Sequence, residues 1–151
     1  VSDGEQGHDE MTVYVEHANI TVSDLDGAVR FLQCALPELV VRGHGEAHGR
    51  RWLHIGTDDT YIALEQPPEL GTTRRHPYAD PGVNHVGFAV DDVDAVAERL
   101  RVAGYQEGIG AETHPHRRRL YFYDGDGNEW EFVEYLSDDP ADRNDYSLPA
   151  S

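Results

Sequence analysis

Two histidines 68 residues apart recur in similar surroundings. His17-Ala-Asn-Ile-Thr-Val-Ser-Asp-Leu-Asp reads again as His85-Val-Gly-Phe-Ala-Val-Asp-Asp-Val-Asp, so His17/His85, Val22/Val90, Asp24/Asp92 and Asp26/Asp94 coincide, and Leu32/Leu100 continue the register. A duplicated unit with an imidazole at one end of each copy predicts a two-fold site. Glu129 and Glu131 add carboxylates near the end of the second copy. Two neutral imidazoles and a carboxylate on one concave surface have the composition of a facial metal triad with open positions. That ligand set suits one divalent ion, Fe, Mn, Co, Ni or Zn, without choosing among them.

The elements that must position these groups follow from the hydrophobic pattern. Residues 1–12 lack apolar periodicity and read as a flexible arm. Residues 15–22 alternate, with Ala18, Ile20 and Val22 on one face and His17, Asn19 and Thr21 on the other, as in a half-buried strand. Ser23 or Asp24 caps a helix to about Leu36, which Pro37 ends. Strands are expected at 38–43 and 49–56, joined by the connection GHGEAHG, and at 60–66 after the turn Asp58-Asp59. Residues 69–82, rich in Pro and Gly, form a linker. The second copy repeats the order: a strand at 83–90, a helix from Asp91 or Asp92 to about Ala103 with Gly104 beyond it, and a short strand around Tyr105. Strands at 117–124 and 129–135 then flank a turn at 125–128. The expected fold is α+β: two tandem βαβββ modules form a cleft-shaped mixed β-sheet, with helices on the outer face. Module one spans 13–68 and module two 83–136, together a single domain 13–136, and residues 137–151 read as a mobile acidic tail.

Strand parity then sorts the side chains. His17, His85, Glu129, Glu131 and Val133 face the cleft, as do Arg119, Tyr121 and Tyr123. An Arg and two phenols beside a metal suit an anionic or enolic oxygen of a small substrate. Carried through at 68 residues, the register sets Arg50 and Arg51 over Arg118 and Arg119, and Asp58 over Asp126. Leu53 and Ile55 then fall opposite Tyr121 and Tyr123, which makes the first module's wall the more apolar one. The same parity puts His54 with Trp52 on the helix side, as a packed structural histidine. Glu131 falls over Ala63, with Glu65 two residues further along the same face. His114 reads equally as an acid/base group or a loop residue, and Cys34, among apolar helix residues, as a packed thiol.

The formal net charge is −17, and every one of the 12 basic residues is Arg. Such a surface argues against nucleic acid as a partner. No apolar run reaches the length of a membrane span, and the polar, acidic start VSDGEQGHDE does not resemble a secretory signal. One cysteine excludes an internal disulfide, so a cytoplasmic protein is expected.

Three motifs, H-x-x-I-x-V-x-D-L at His17, V-N-H-V-G-F-x-V-D-D at His85 and Y-D-G-D-G-N-x-x-E ending at Glu131, resemble the vicinal oxygen chelate superfamily. That superfamily includes glyoxalase I, extradiol dioxygenases, fosfomycin-resistance proteins and bleomycin-binding proteins. The resemblance covers about residues 13–136. It implies metal ligands at His17, His85 and Glu131, and a fourth ligand of the glyoxalase kind on the strand that holds Glu65, which reads as a ligand, a catalytic base or a rim residue. The segment from His114 through Leu120, Tyr121, Asp124 and Gly127 to Glu131 is similar to the extradiol signature, with Gly125 in the usual Pro position and Glu112 where a small or aliphatic residue is usual. By that likeness Tyr121 contacts substrate oxygen. The resemblance further implies a homodimer and a metal-dependent enzyme, dioxygenase-like or lyase/isomerase-like, acting on a small oxygenated molecule. The alternative within the superfamily is a metal-free drug- or metabolite-binding resistance protein of the bleomycin-binding type.

Overall fold

The computed structural model describes residues 13–110 and 112–147; the arm at 1–12 lies outside the described residues, apart from which the chain follows two βαβββ modules. Module one contains β1 (His17–Thr21), α1 (Leu25–Ala35), β2 (Val40–Ala47), β3 (Arg50–Gly56) and β4 (Tyr61–Gln66). Module two contains β5 (His85–Ala89), α2 (Val93–Val102), β6 (Gln106–Glu107), β7 (Arg117–Tyr123) and β8 (Glu129–Tyr135), and a short α3 (Pro140–Arg143) follows. Each module is one mixed four-stranded sheet, ordered β1-β4-β3-β2 and β5-β8-β7-β6. The first strand lies parallel to the last in each, and the remaining pairs are antiparallel.

The helices start where the repeated aspartates sit. Asp24 accepts a hydrogen bond from Gly27 N at 3.1 Å and Asp92 one from Ala95 N at 3.1 Å, each satisfying a donor that the helix start leaves without a partner. Val93, Val96, Ala97 and Leu100 place a buried stripe on α2 at i, i+3, i+4 and i+7. Gly104, with φ +86°, adopts the left-handed conformation that ends the helix. Leu25, Phe31, Leu32 and Ala35 of α1 join one core with Ile55, Ile62, Leu64, Phe122, Trp130 and Phe132.

The modules are joined through their helix side. Phe31 of α1 meets Tyr105 edge-on at 4.9 Å and lies 6.1 Å from Trp130. Arg99 of α2 donates to the carbonyls of Cys34 (3.0 Å) and Ala35 (2.7 Å), at the negative end of α1. Ser23 N donates to Asp126 Oδ2 at 2.9 Å, which ties the turn before β8 to the start of α1.

Three expectations need correction. First, β2 continues through Gly43, His44, Gly45 and Glu46, and the turn to β3 narrows to His48 and Gly49, both with positive φ. Second, residues 137–147 are not a loose tail. α3 is capped by Asp139, and Arg117, 8% exposed, donates to Arg143 O at 3.1 Å and lies 4.9 Å from the Tyr146 ring. A buried guanidinium that donates to a carbonyl of the segment and lies against its aromatic ring holds the segment down.

Third, the repeat does not hold at 68 residues throughout. His54 opposite Ala63 corresponds to Tyr121 opposite Glu131, an offset of 67 in the first pair of residues and 68 in the second. The β3–β4 turn runs over 57–60 and the β7–β8 turn over 124–128, one residue longer. A one-residue slip reverses every side chain of a strand. Leu53 and Ile55 therefore belong to the core, while Trp52 and His54 lie on the sheet face away from the helices. Two matched ion pairs show the same split, Arg51 with Asp26 (3.5 Å) and Arg118 with Asp94 (2.6 Å): the arginines are 67 residues apart and the aspartates 68.

Candidate metal centre

On the second sheet, β5 and β8 run side by side with His85 opposite Glu129 and Gly87 opposite Glu131. Phe88, Phe132 and Trp130 point to the core, so His85, Glu129 and Glu131 point the other way. His85 Nε2 lies 2.9 Å from Glu131 Oε2. The edge of the His85 ring meets Tyr121 at 5.7 Å between centroids.

β7 completes the face. Arg119 Nη1 stands 3.9 Å from Glu131 Oε1, and Arg119 Nε is buried without a hydrogen-bond partner. A buried donor without an acceptor is costly, so it points to an acceptor that the protein itself does not supply. Burial, then the charge of Glu131, pushes the Tyr121 phenol up, while Arg119 pulls the other way. Burial and the hydrogen bond to Glu129 push up Tyr123. The bond that Tyr78 donates to Glu129, with burial, holds its phenol at about 12. At neutral pH all three phenols keep their protons and serve as donors.

His17 lies on the other sheet. It stacks on Tyr61 at 4.8 Å, and its Nδ1 is 3.0 Å from Glu16 Oε1 at the exposed start of β1. His54 stacks on Tyr61 from the β3 side at 4.6 Å, Trp52 lies 5.0 Å from His54, and Arg42 reaches over Tyr61 at 4.4 Å from a shift in the β2 register. The first module's wall is thus aromatic and imidazole-lined rather than aliphatic. Glu65 shares this face and lies 3.7 Å from Arg50. A cavity of about 590 Å³ opens between β1 and β5; His17, Tyr61 and Gly87 border it, and His85 and Glu131 do not.

The sequence-expected ligands are therefore divided. His85 and Glu131 meet; His17 and Glu65 stay on the first sheet, and among the described residues no three His, Cys, Asp or Glu side chains gather as a metal site. As a donor pair His85 and Glu131 fit a divalent ion, because ligand atoms about 2.0–2.2 Å from one ion stand about 3 Å apart. Among the described residues no third His, Cys, Asp or Glu joins this pair as a metal site. His114 is occupied elsewhere: its Nε2 meets Asp145 O at 3.0 Å and its Nδ1 accepts from His116 N at 3.0 Å. Parity reasoning had already put Glu129 on the cleft face, without a role. Tyr78 lies in the linker, where no periodicity could mark it. His54 and Trp52 would have emerged from comparing the lengths of the two turns.

Paired βαβββ modules with a His–carboxylate pair on the strand face away from the helices define a protein of the vicinal oxygen chelate type. The chain belongs to the glyoxalase/bleomycin resistance protein/dioxygenase superfamily, whose family model matches residues 14–132. No curated protein matches. Among solved structures, a glyoxylase/bleomycin resistance protein/dioxygenase domain from Frankia is 26% identical, with a TM-score of 0.69 over 82% of this chain and 98% of its own. A fosfomycin resistance protein from Listeria monocytogenes, complexed with Mn(II) and sulfate, is 19% identical, with a TM-score of 0.63 over 88% and 98%. The trypanothione-dependent glyoxalase I of Leishmania major is 19% identical, with a TM-score of 0.65 over 82% and 87%. No helix of the described residues is long and apolar enough to cross a membrane.

Proposed function

We propose that the chain is a divalent-metal-dependent enzyme acting on a small oxygenated substrate, with His85 and Glu131 as ligands and His17 supplied by a second copy. The observation that carries this reading is the approach of His85 Nε2 to Glu131 Oε2 on an open sheet face. Separation of His17 from that pair among the described residues supports a site shared between two copies, as does the lack, among those residues, of a neighbour on the outer edges of β1 and β5. When bound, the ion would act as a Lewis acid on neighbouring substrate oxygens. The chain's own groups take the complementary part. Arg119, through its unmatched Nε, and Tyr121, as a protonated phenol, hold an anionic or enolic oxygen beside the pair. Tyr123 supports Glu129 rather than a ligand, through a hydrogen bond of 3.1 Å. Ion pairing to Arg50 makes Glu65 a cleft residue of the first wall, where a base for the substrate bound from the partner's sheet would sit.

Metal analysis of protein purified without chelator tests the reading. We expect close to one equivalent of a transition metal per chain, or uptake of Mn(II) or Zn(II) on reconstitution. Less than about a tenth of an equivalent, with no uptake, would overturn it and favour the metal-free binding protein. One observation gives that second reading its weight: His85 Nε2 and Glu131 Oε2 already stand in direct contact at 2.9 Å.

A further inference from the structure

The linker between the modules carries a residue held in an unfavourable backbone conformation. Tyr78 has φ +66°, the left-handed region that side chains with a Cβ rarely adopt. Such conformations persist only where their surroundings over-determine them, and they cluster at functional sites. Here the surroundings are explicit. Asn84 Oδ1 accepts from Tyr78 N at 2.7 Å and from Arg75 Nη2 at 3.3 Å. Arg75 also donates to Pro81 O at 3.3 Å and Asp80 O at 3.4 Å, and Asp80 Oδ2 accepts from His76 N at 2.6 Å. The loop is closed on itself, and what it presents to the second sheet is the Tyr78 hydroxyl.

That hydroxyl meets two groups. It donates to Glu129 Oε1, and its oxygen lies 3.0 Å from His85 Nδ1. Glu129 Oε2 accepts from Tyr123 at 3.1 Å, so both carboxylate oxygens are engaged by phenols. Glu129 itself is 3.5 Å from His85 Nδ1, too long for a good hydrogen bond, so the phenol bridges the two. Tyr78 has one proton, and Glu129 receives it. The phenol oxygen is then left to accept from His85, and Nδ1 must carry the hydrogen. The opposite nitrogen, Nε2, is the one facing Glu131.

We propose that Tyr78 and Glu129 are positioning residues, a carboxylate–phenol–imidazole chain that keeps the His85 proton on Nδ1 and presents Nε2 to a metal ion. This rests on the reading of His85 as a ligand. A ligating imidazole needs its second nitrogen held by an acceptor, which fixes tautomer and ring direction and raises ligand basicity. His17 has a simpler arrangement of the same kind, since its Nδ1 faces Glu16 directly at the exposed start of β1. The chain at His85 is not part of the repeat: Tyr61 takes the place of Glu129 in the first module.

The test uses full-length protein and Zn(II). Tyr78→Phe should lower Zn(II) affinity about 10- to 100-fold with the melting temperature of the metal-free protein little changed. Glu129→Gln, which keeps the shape, should lower it too, and the double variant should lose little more than the worse single one, because the two act as a unit. NMR of the zinc-loaded protein supplies a signature that a purely structural role would not move. The His85 Nδ1–H should be visible and slow to exchange in the wild type, and lost to solvent exchange in Tyr78→Phe. Equal zinc affinity and an unchanged Nδ1–H signal in Tyr78→Phe would overturn this inference while leaving the metal site standing. Failure of the wild type to take up zinc or manganese would overturn the site and the inference together.

Discussion

Glu131 carries two relations at once. It faces His85 Nε2 at 2.9 Å and Arg119 at 3.9 Å, so a divalent ion bound there would sit beside a fixed positive charge. The signs of the two effects differ. Glu131→Gln removes a ligand charge and should weaken Mn(II) binding by at least about tenfold. Arg119→Met removes the repelling guanidinium at similar volume and should strengthen it severalfold. Titration calorimetry with Mn(II) reads both; if Arg119→Met weakens binding as much as Glu131→Gln does, Arg119 orients the carboxylate rather than competing with the ion. At this scale the sequence was legible in the strand face that His85 and Glu131 share. It was silent about Tyr78, whose role depends on a loop conformation that neither alternation nor helical period encodes.

The elements carry the asymmetry between the two halves. Gly56 ends β3 against the start of β4, and a methyl there would fall 2.1 Å from Thr60 O and 2.5 Å from Tyr61 Cα. These are backbone atoms of the shorter turn, and they cannot rotate away. Gly56→Ala should therefore destabilise the protein by about 3 kcal/mol or more, at the upper end for overpacking, measured by urea denaturation; a loss below about 1 kcal/mol would show that the turn yields. The ion pairs that join each helix to its third strand give a pH dependence. Hydrogen bonding to Arg118 holds Asp94 below its ordinary 3.8. For a carboxyl lowered on folding, the stabilisation is present above pH 3.8 and is lost as pH falls through the lower folded value. Wild type and Arg118→Ala should thus differ in stability by a constant amount near neutral pH and converge in acid. A gap that persists in acid would assign the effect of Arg118 to packing. Helices, caps and most strands were readable from periodicity and the repeated aspartates. The faces of β3 were not, because one residue fewer in a turn leaves the apolar count intact and inverts the parity.

For the whole molecule, the decisive fact is that the helices and the core they share join the modules, while the two sheets remain separate. A site shared between copies makes a sharp prediction for mixtures. His17→Ala and His85→Ala chains should each fail to bind metal. Unfolded together and refolded in equal amounts, they should recover about a quarter of the wild-type sites, since half the dimers are mixed and each has one intact site. No recovery, with both variants folded, would place His17 outside the metal centre. The amino-acid sequence by itself determined the duplication, the βαβββ order and the helix starts, because these depend on local period, capping and short-range motif. Only the tertiary structure decided which of the candidate side chains meet. Residues 68 apart in sequence are equivalent by repeat, but equivalence sets their strand and face, not the distance between the two sheets. That distance follows from how the helices and the core pack; His85 meets Glu131 because β5 and β8 pair in parallel within one sheet, while His17 stands on the other sheet.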